Sequence, residues 1–370
     1  MSIVDYFEKP SVENLVFPFI PVTQTLGSRL VDEAYDVAII GVKADSDQVN
    51  RGSAAAPDEI RKYLYALRGE MRQLRIADLG NLKACDNPTE LYFALRGAVS
   101  ELRAIGVLPV ILGGSQELTA AVYDGLKEIS QELNLSVLDS RIDLSIEEGA
   151  PISPSSYLNT IINDDKRFRV DVIGCQSYYC SQLQVDKLEE NNCWVMRLGN
   201  LRADLAEAEP IFRDSDFVSL DMSVVRQSDA PGQEMPSPNG LTGEELCQLT
   251  RYAGLSDRIQ AFGLFEVNPY FDNNGQTASL AAQLVWHFLE AYANRYGDYP
   301  LRDLSSYKTI VVPEMDGDDD IVFYNNHLNN RWWVQIPMRG GDRIFSCSYN
   351  DYSKVVDGRL FDLWMRYYQR

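Results

Sequence analysis

Histidine is nearly missing from these 370 residues: His287 and His327 are the only two. The first falls in an apolar helical stripe and the second in the C-terminal segment, so each reads as a packing or surface residue rather than a ligand. Cysteine is sparse as well. Cys85, Cys175, Cys180, Cys193, Cys247 and Cys347 are spread along the chain without metal-type spacing, and they read as reduced core thiols. Positive charge is in short supply, with 34 Lys and Arg against 54 Asp and Glu and a net charge of -20. That balance excludes nucleic acid and anionic membrane as partners, since both need a basic face. No apolar run approaches the ~20 residues of a membrane span. The opening MSIVDYFEKPSVENL has no positive region followed by an apolar block. The expectation is a soluble, cytoplasmic protein without membrane insertion.

What the chain does have is a hydrophobic fraction of 45%, enough for a large core. Short continuous apolar runs recur: VAIIGV (37–42), LRIADL (74–79), LPVILGG (108–114), LSVLDS (135–140), VDVIGC (170–175), CWVMRL (193–198), FVSLDM (217–222) and IQAFGLFEV (259–267). Unbroken runs of this kind suit strands covered on both faces. Helical stretches separate them. Pro57 suits a first helical position ahead of the stripe Ile60, Tyr63, Leu64 and Leu67. Thr242 and Glu245 form a capping box ahead of Leu246, Leu249 and Tyr252. Leu280, Leu284, His287, Phe288 and Tyr292 mark another amphipathic helix.

The pattern predicts an α/β fold: three layers, with a mostly parallel, doubly wound sheet of about eight strands over residues 1–300. Residues 301–370 differ. After the acidic patch Asp316–Asp320, aromatics crowd the sequence, which reads as a structured appendage packed on the main domain. Its Arg331-Trp332-Trp333 and Trp364-Met365-Arg366-Tyr367-Tyr368 clusters are candidate anchors for a protein partner or for self-association. Sealing the core is the competing use.

In a doubly wound sheet, ligands bind at the carboxyl ends of the strands. Polar residues gather there. Ser115, Gln116 and Glu117 follow LPVILGG, and Asp139, Arg141 and Asp143 end or follow LSVLDS. Asp221 and Ser223 close FVSLDM, and Glu266 closes IQAFGLFEV. Any one of them suits a helix cap. Together they predict a converging acidic cleft.

Five blocks carry a resemblance. GVKADSDQVNRGSAAAPDEIR (41–61), GGSQELT (113–119), LDSRIDL (138–144), SLDMSVVRQSDAPG (219–232) and FEVNPYFDNNGQTA (265–278) occur in the order and spacing of the ureohydrolases. The chain resembles that family (arginases, agmatinases and formiminoglutamases), and Glu117 leans towards formiminoglutamase. The resemblance implies an arginase-like sheet and a centre where two histidines and four aspartates hold two Mn²⁺ ions. At the matching positions stand Gln116, Asp139, Arg141, Asp143, Asp221 and Ser223, so three of six ligands, including both imidazoles, are replaced. The following family aspartate is Arg226. SPSSYLNTII (153–162), which matches the stretch that often supplies a proton shuttle, holds no histidine.

Arg141 is expected between Asp139 and Asp221, in the place of the second metal. A guanidinium forms bidentate pairs with carboxylates but does not acidify water as a metal does. At an effective dielectric of about 20, its charge would repel a divalent ion ~4 Å away by roughly 8 kcal/mol. Asp139, Asp143, Asp221 and the Gln116 amide oxygen remain as an all-oxygen set for one hard cation (Mn²⁺, Mg²⁺ or Ca²⁺). The competing outcome is no cofactor at all, with an Arg–Asp network in its stead. Glu266 matches the residue that pairs with a guanidinium-like group, which makes a cationic small molecule the candidate ligand.

These substitutions imply a catalytically inactive ureohydrolase-like protein that acts by binding or as a scaffold, in a homo-oligomer. The alternatives are a one-metal hydrolase of linear amidines, formiminoglutamase-like, and a sensor of a cationic amino-acid derivative.

Overall fold

The computed structural model describes residues 6–8, 35–45, 50–69, 74–83, 87–130, 132–147, 149–164, 167–300, 304–313 and 320–368. Its main sheet has nine strands: β1 (Phe7–Glu8), β2 (Val37–Gly41), β3 (Ile76–Leu82), β4 (Leu108–Leu112), β5 (Leu133–Leu138), β6 (Arg167–Cys175), β7 (Cys193–Arg197), β8 (Phe217–Asp221) and β9 (Ala261–Phe265). Their order is β1-β3-β2-β4-β9-β8-β5-β6-β7. Pairing is parallel throughout except for β1, which runs antiparallel to β3. All eight apolar runs became strands. The ninth is a two-residue edge pair, too short to leave a hydrophobic run.

Strands β2, β4, β5, β8 and β9 are buried along their whole length because helices cover both faces. One apolar layer joins the sheet to the helices Ala56–Leu64, Gly243–Gly254 and Gln276–Ala293. The other joins it to Pro88–Ala104, Leu118–Lys127, Leu158–Ile162 and Gln182–Glu190. Local signals set the helix starts. Pro57 sits in the first turn of its helix, and the Thr242–Glu245 capping box forms with both reciprocal hydrogen bonds. At the centre of the sheet, β4, β9, β8 and β5 lie side by side. Their carboxyl ends therefore deliver Gln116, Glu266, Asp221 and Asp139 to one place.

A second sheet follows: β10 (Lys308–Pro313), β11 (Asp320–Asn326), β12 (Arg331–Ile336) and β13 (Arg343–Cys347), antiparallel in sequence order. The helices Tyr349–Val356 and Asp362–Tyr367 complete it. Its core takes in Phe168 of β6 and Trp194 of β7, the second residue of each strand, so it packs against the amino ends of those strands. The Tyr367 ring stacks on Phe168 and Phe345, with centroids 5.6 and 4.7 Å apart.

The expected partner-binding aromatics are therefore corrected. Arg331, Trp332, Trp333, Trp364 and Tyr367 are buried inside the chain itself. Strand β12 is covered on both faces, Trp332 within the second sheet's core and Trp333 under the Arg213 guanidinium, 4.6 Å from its ring centroid. Of the two clusters only Met365 is largely exposed. Five cysteines, Cys175, Cys180, Cys193, Cys247 and Cys347, are free thiols. Cys85 and residues 316–319 of the acidic patch lie outside the described residues.

Arg213 fastens the two sheets. Fully enclosed, it donates to the Trp332 carbonyl at 3.0 Å, to the Cys347 carbonyl at 3.3 Å and to Glu209 at 2.7 Å. Asp214 beside it accepts the Ser346 backbone N–H at 3.0 Å. Arg213→Ala would take a donor from two buried carbonyls and leave Glu209 to Arg331 alone. A loss of about 2–4 kcal/mol in urea-denaturation stability is the expected outcome; a loss under about 1 kcal/mol would show that the docking does not depend on it.

Candidate active site

Asp139 follows β5, Asp143 lies in the turn beyond it and Asp221 ends β8. One carboxylate oxygen from each falls within 4.8 Å of the others, and all three residues are buried. Local bonding explains their aim. Asp139 Oδ1 accepts the Arg141 backbone N–H at 2.8 Å and the Ser223 hydroxyl at 3.1 Å. Asp221 Oδ1 accepts the Ser223 backbone N–H at 2.6 Å. Ser223 thus ties the two strand ends together, and its hydroxyl also bonds Ser140 at 3.0 Å.

Glu266 follows β9 in a left-handed conformation, φ +62°, a strained setting for a non-glycine residue. Its carboxylate is held from both sides. Oε1 accepts the Gln116 backbone N–H and Oε2 accepts the Asn50 side-chain amide, each at 2.6 Å. Asn268 in turn holds Asn50 Oδ1 at 2.7 Å. Close approach of the chain before Gln116 needs Gly114, where a Cβ would collide with the Ala44 carbonyl.

Electrostatically the cleft is under-neutralised. Burial, and then the charges of its acidic neighbours, push Asp143 and Asp221 well above the usual carboxylate range. Burial raises Asp139 too, against the hydrogen bonds that it accepts. Glu266 is pushed up to about 8 by burial, although Asn50 and the Gln116 N–H favour its charged form. Among the described residues, no Lys, Arg or His forms an ion pair with any of the four.

The expected Arg141 position is corrected here. Its backbone serves Asp139, but its guanidinium turns away and stacks on the Tyr179 ring, 4.3 Å from the centroid. Its one side-chain hydrogen bond among the described residues is a long one, 3.4 Å to Ser140. Cation–π contact with a tyrosine is available to this side chain without crossing into the carboxylates. Arg141 instead lines the cleft beside them. That cleft has a volume near 220 Å³, with Asp139, Asp143, Asp221, Ser223 and Glu266 in its walls.

The remaining donors fit a hard cation. Asp139 Oδ2 and Gln116 Oε1 are buried without a hydrogen-bond partner, and buried polar atoms left so are rare in folded proteins. Gln116 Nε2 is engaged, donating to Tyr157 at 3.2 Å and Ser219 at 3.0 Å, which leaves its oxygen free to ligate. Three carboxylates and an amide oxygen suit Mn²⁺, Mg²⁺ or Ca²⁺. His287 lies in the helix Gln276–Ala293 and His327 in the β11–β12 turn. Neither belongs to the cluster.

Three participants escaped sequence reading. Asn50 pins Glu266, Tyr157 accepts the Gln116 side-chain amide, and Tyr179 draws Arg141 aside. Asn50 and Tyr157 sit in the family-like blocks around residues 41–61 and 153–162, where they had no obvious charge to mark them. Burial and the neighbouring Asp143 and Asp139 push the Tyr157 phenol well above its ordinary value.

A model of the arginase family matches residues 35–290, a span that excludes the second sheet. The formimidoylglutamase of Photorhabdus laumondii is 26% identical over 269 residues, covering 68% of this chain and 84% of the relative. That of Halobacterium salinarum is 26% identical over 274 residues, covering 70% and 86%. The structure of Trypanosoma cruzi formiminoglutamase with Mn²⁺ superimposes with a TM-score of 0.67 at 21% identity, over 73% of this chain and 96% of that one.

The raised carboxyls give a pH signature. The folded metal-free chain keeps a proton on Glu266 between about 4.5 and about 8, where the unfolded chain has released it. The folded state binds more protons over that window, so stability falls as pH rises through it. Urea midpoints measured without divalent ions are expected to drop from pH 5 to pH 8. Saturating Mn²⁺ should flatten the decline, and midpoints that rise over this range without metal would contradict the account.

Proposed function

The chain belongs to the arginase family, and from the acidic cleft we propose that it is a one-metal hydrolase of linear amidines, formiminoglutamase-like in substrate. The observation that supports this reading most is the three buried aspartates that form no ion pair among the described residues. Asp139, Asp143, Asp221 and Gln116 would hold the ion. When bound, it supplies Lewis acidity and acidifies water in a site with no imidazole.

The chain's own residues do the rest. Glu266, fixed by Asn50 and the Gln116 N–H, faces the cleft and pairs with an amidinium group. Held in place by two hydrogen bonds, its carboxylate orients the reacting carbon without reorganising. In the metal-free chain Asp143 and Asp221 hold their protons more tightly than ordinary carboxyls, because of burial and their acidic neighbours; as ligands they would give those protons up when the ion binds. Ser223 and the Arg141 backbone keep Asp139 in position.

A second reading, that the fold has lost catalysis and binds its ligand only, draws on Gln116, Arg141 and Ser223 at three positions where the family resemblance implies metal ligands. One assay separates the two. Protein loaded with Mn²⁺ is expected to release formamide from formiminoglutamate, and Asp221→Asn should lower the rate by at least about a hundredfold, or about 2.7 kcal/mol. No formamide above the Asp221→Asn background, in protein shown to hold its ion, would favour the binding-only reading. Glu266→Gln should chiefly raise KM for the same substrate, by about ten- to a hundredfold.

A further inference from the structure

The acidic cleft carries a single cationic side chain in its wall. Its charged lining residues are Asp139, Asp143, Asp221, Glu234, Glu266 and Arg141. Glu234 is exposed at the rim, where water and salt screen it. The three aspartates are answered by an ion, and Glu266 by the amidinium group of a substrate. Arg141 alone is left with no charge to meet.

The way Arg141 is held suits it to a carboxylate. Its guanidinium carbon lies over the Tyr179 ring, 4.3 Å from the centroid. Stacking of this kind engages the flat face of the guanidinium and leaves its in-plane N–H edge, the edge that grips a carboxylate with two parallel bonds. Among the described residues that edge has one long hydrogen bond, 3.4 Å to Ser140, and no ion pair. The tyrosine platform is fixed to the run that carries Arg141. The Gln176 N–H donates to the Ser140 carbonyl at 2.9 Å, and the Tyr179 N–H closes a turn onto the Gln176 carbonyl at 2.8 Å. The Gln176 side-chain amide donates to the Asn239 carbonyl at 3.1 Å. Arg141 is half-buried, and its charge reaches Asp139, favouring the ionised carboxylate without pairing with it. A guanidinium among four acids that bonds none of them is free for an anion from outside.

We propose that Arg141 is the specificity-determining residue of the cleft: it takes a carboxylate on the substrate's tail, so that linear amidines with an acidic tail are selected and those with a cationic tail are rejected. The proposal rests on the amidine reading of the cleft, with the head group on Glu266, but not on turnover. Two opposite charges on one small molecule are then read by two separate groups, the amidinium by Glu266 and the carboxylate by Arg141. An N-formimino amino acid carries both within a few bonds. The cleft, near 220 Å³, lies below the roughly 300–1,000 Å³ of ordinary ligand sites and suits so short a molecule. A tail ammonium would instead meet the Arg141 charge.

The test compares formiminoglutamate with N-butylformamidine, which has the amidine but no carboxylate, on the full chain loaded with Mn²⁺. In the unmodified protein kcat/KM is expected to favour formiminoglutamate by at least about tenfold, chiefly through KM. Arg141→Gln should bring that ratio to about twofold or less, and Arg141→Lys should keep part of it, because the charge stays while the two-pronged grip is lost. Comparable kcat/KM for the two amidines in the unmodified protein overturns the proposal, as does a preference that survives Arg141→Gln. Should neither amidine be hydrolysed, the hydrolase reading falls by itself, and calorimetric dissociation constants for the same pair decide the role of Arg141 by the same ratios. Failure of both amidines to bind overturns it. The first comparison needs no variant, so it holds even where a substituted chain fails to fold.

Discussion

Three carboxylates held within 4.8 Å of one another and shut away from solvent set the terms for everything around them. At an effective dielectric of about 20, each ionised pair at that distance repels by roughly 3 kcal/mol or more. The parallel sheet enforces the arrangement, because β5 and β8 are neighbours and end side by side. The chain responds within its means. Backbone N–H groups and the Ser223 hydroxyl bond the outer oxygens, yet Asp139 Oδ2 is left without a partner. A proton or a divalent ion has to supply the rest.

Arg141 shows how a side chain's direction decides a site's chemistry. As a counter-ion between Asp139 and Asp221 it would have replaced a metal and closed the cleft to one. Stacked on Tyr179 instead, it leaves the carboxylates exposed to each other and stands as a positive group in the wall of the same cleft. Glu266 is likewise left to Asn50 and a backbone amide rather than to a guanidinium. A cationic group entering the cleft thus meets no competing arginine at Glu266.

Much of this was legible in the sequence. Continuous apolar runs mark strands buried on both faces, and eight of them become the parallel core of the sheet. The carboxylates at their ends are legible because a doubly wound sheet places its site there. Side-chain direction is not legible: the DSRID run gives Arg141's position but not the choice between aspartates and Tyr179. Nor does composition tell inside from outside. Trp332 and Trp333 are adjacent, so a strand sends them to opposite faces, and one of them would be exposed unless both faces are covered. Here both are, one by the sheet's own helices and the other by Arg213. The aromatics that look like anchors for a partner are the seam between the two parts of one chain. Asn50 and Tyr157 act through geometry alone, which spacing does not encode.

The second sheet falls outside the span matched by the arginase family, residues 35–290, and packs on the amino ends of β6 and β7, opposite the strand ends that carry the cleft. The family fold supplies the acidic centre, and the added sheet covers Phe168 and Trp194 at the amino ends of its strands. Crystals grown with Mn²⁺ and measured at the manganese absorption edge test that centre most directly. The account predicts a single anomalous peak among Asp139, Asp143 and Asp221, with Arg141 still on Tyr179. No peak there, or an Arg141 guanidinium in its place, would contradict it.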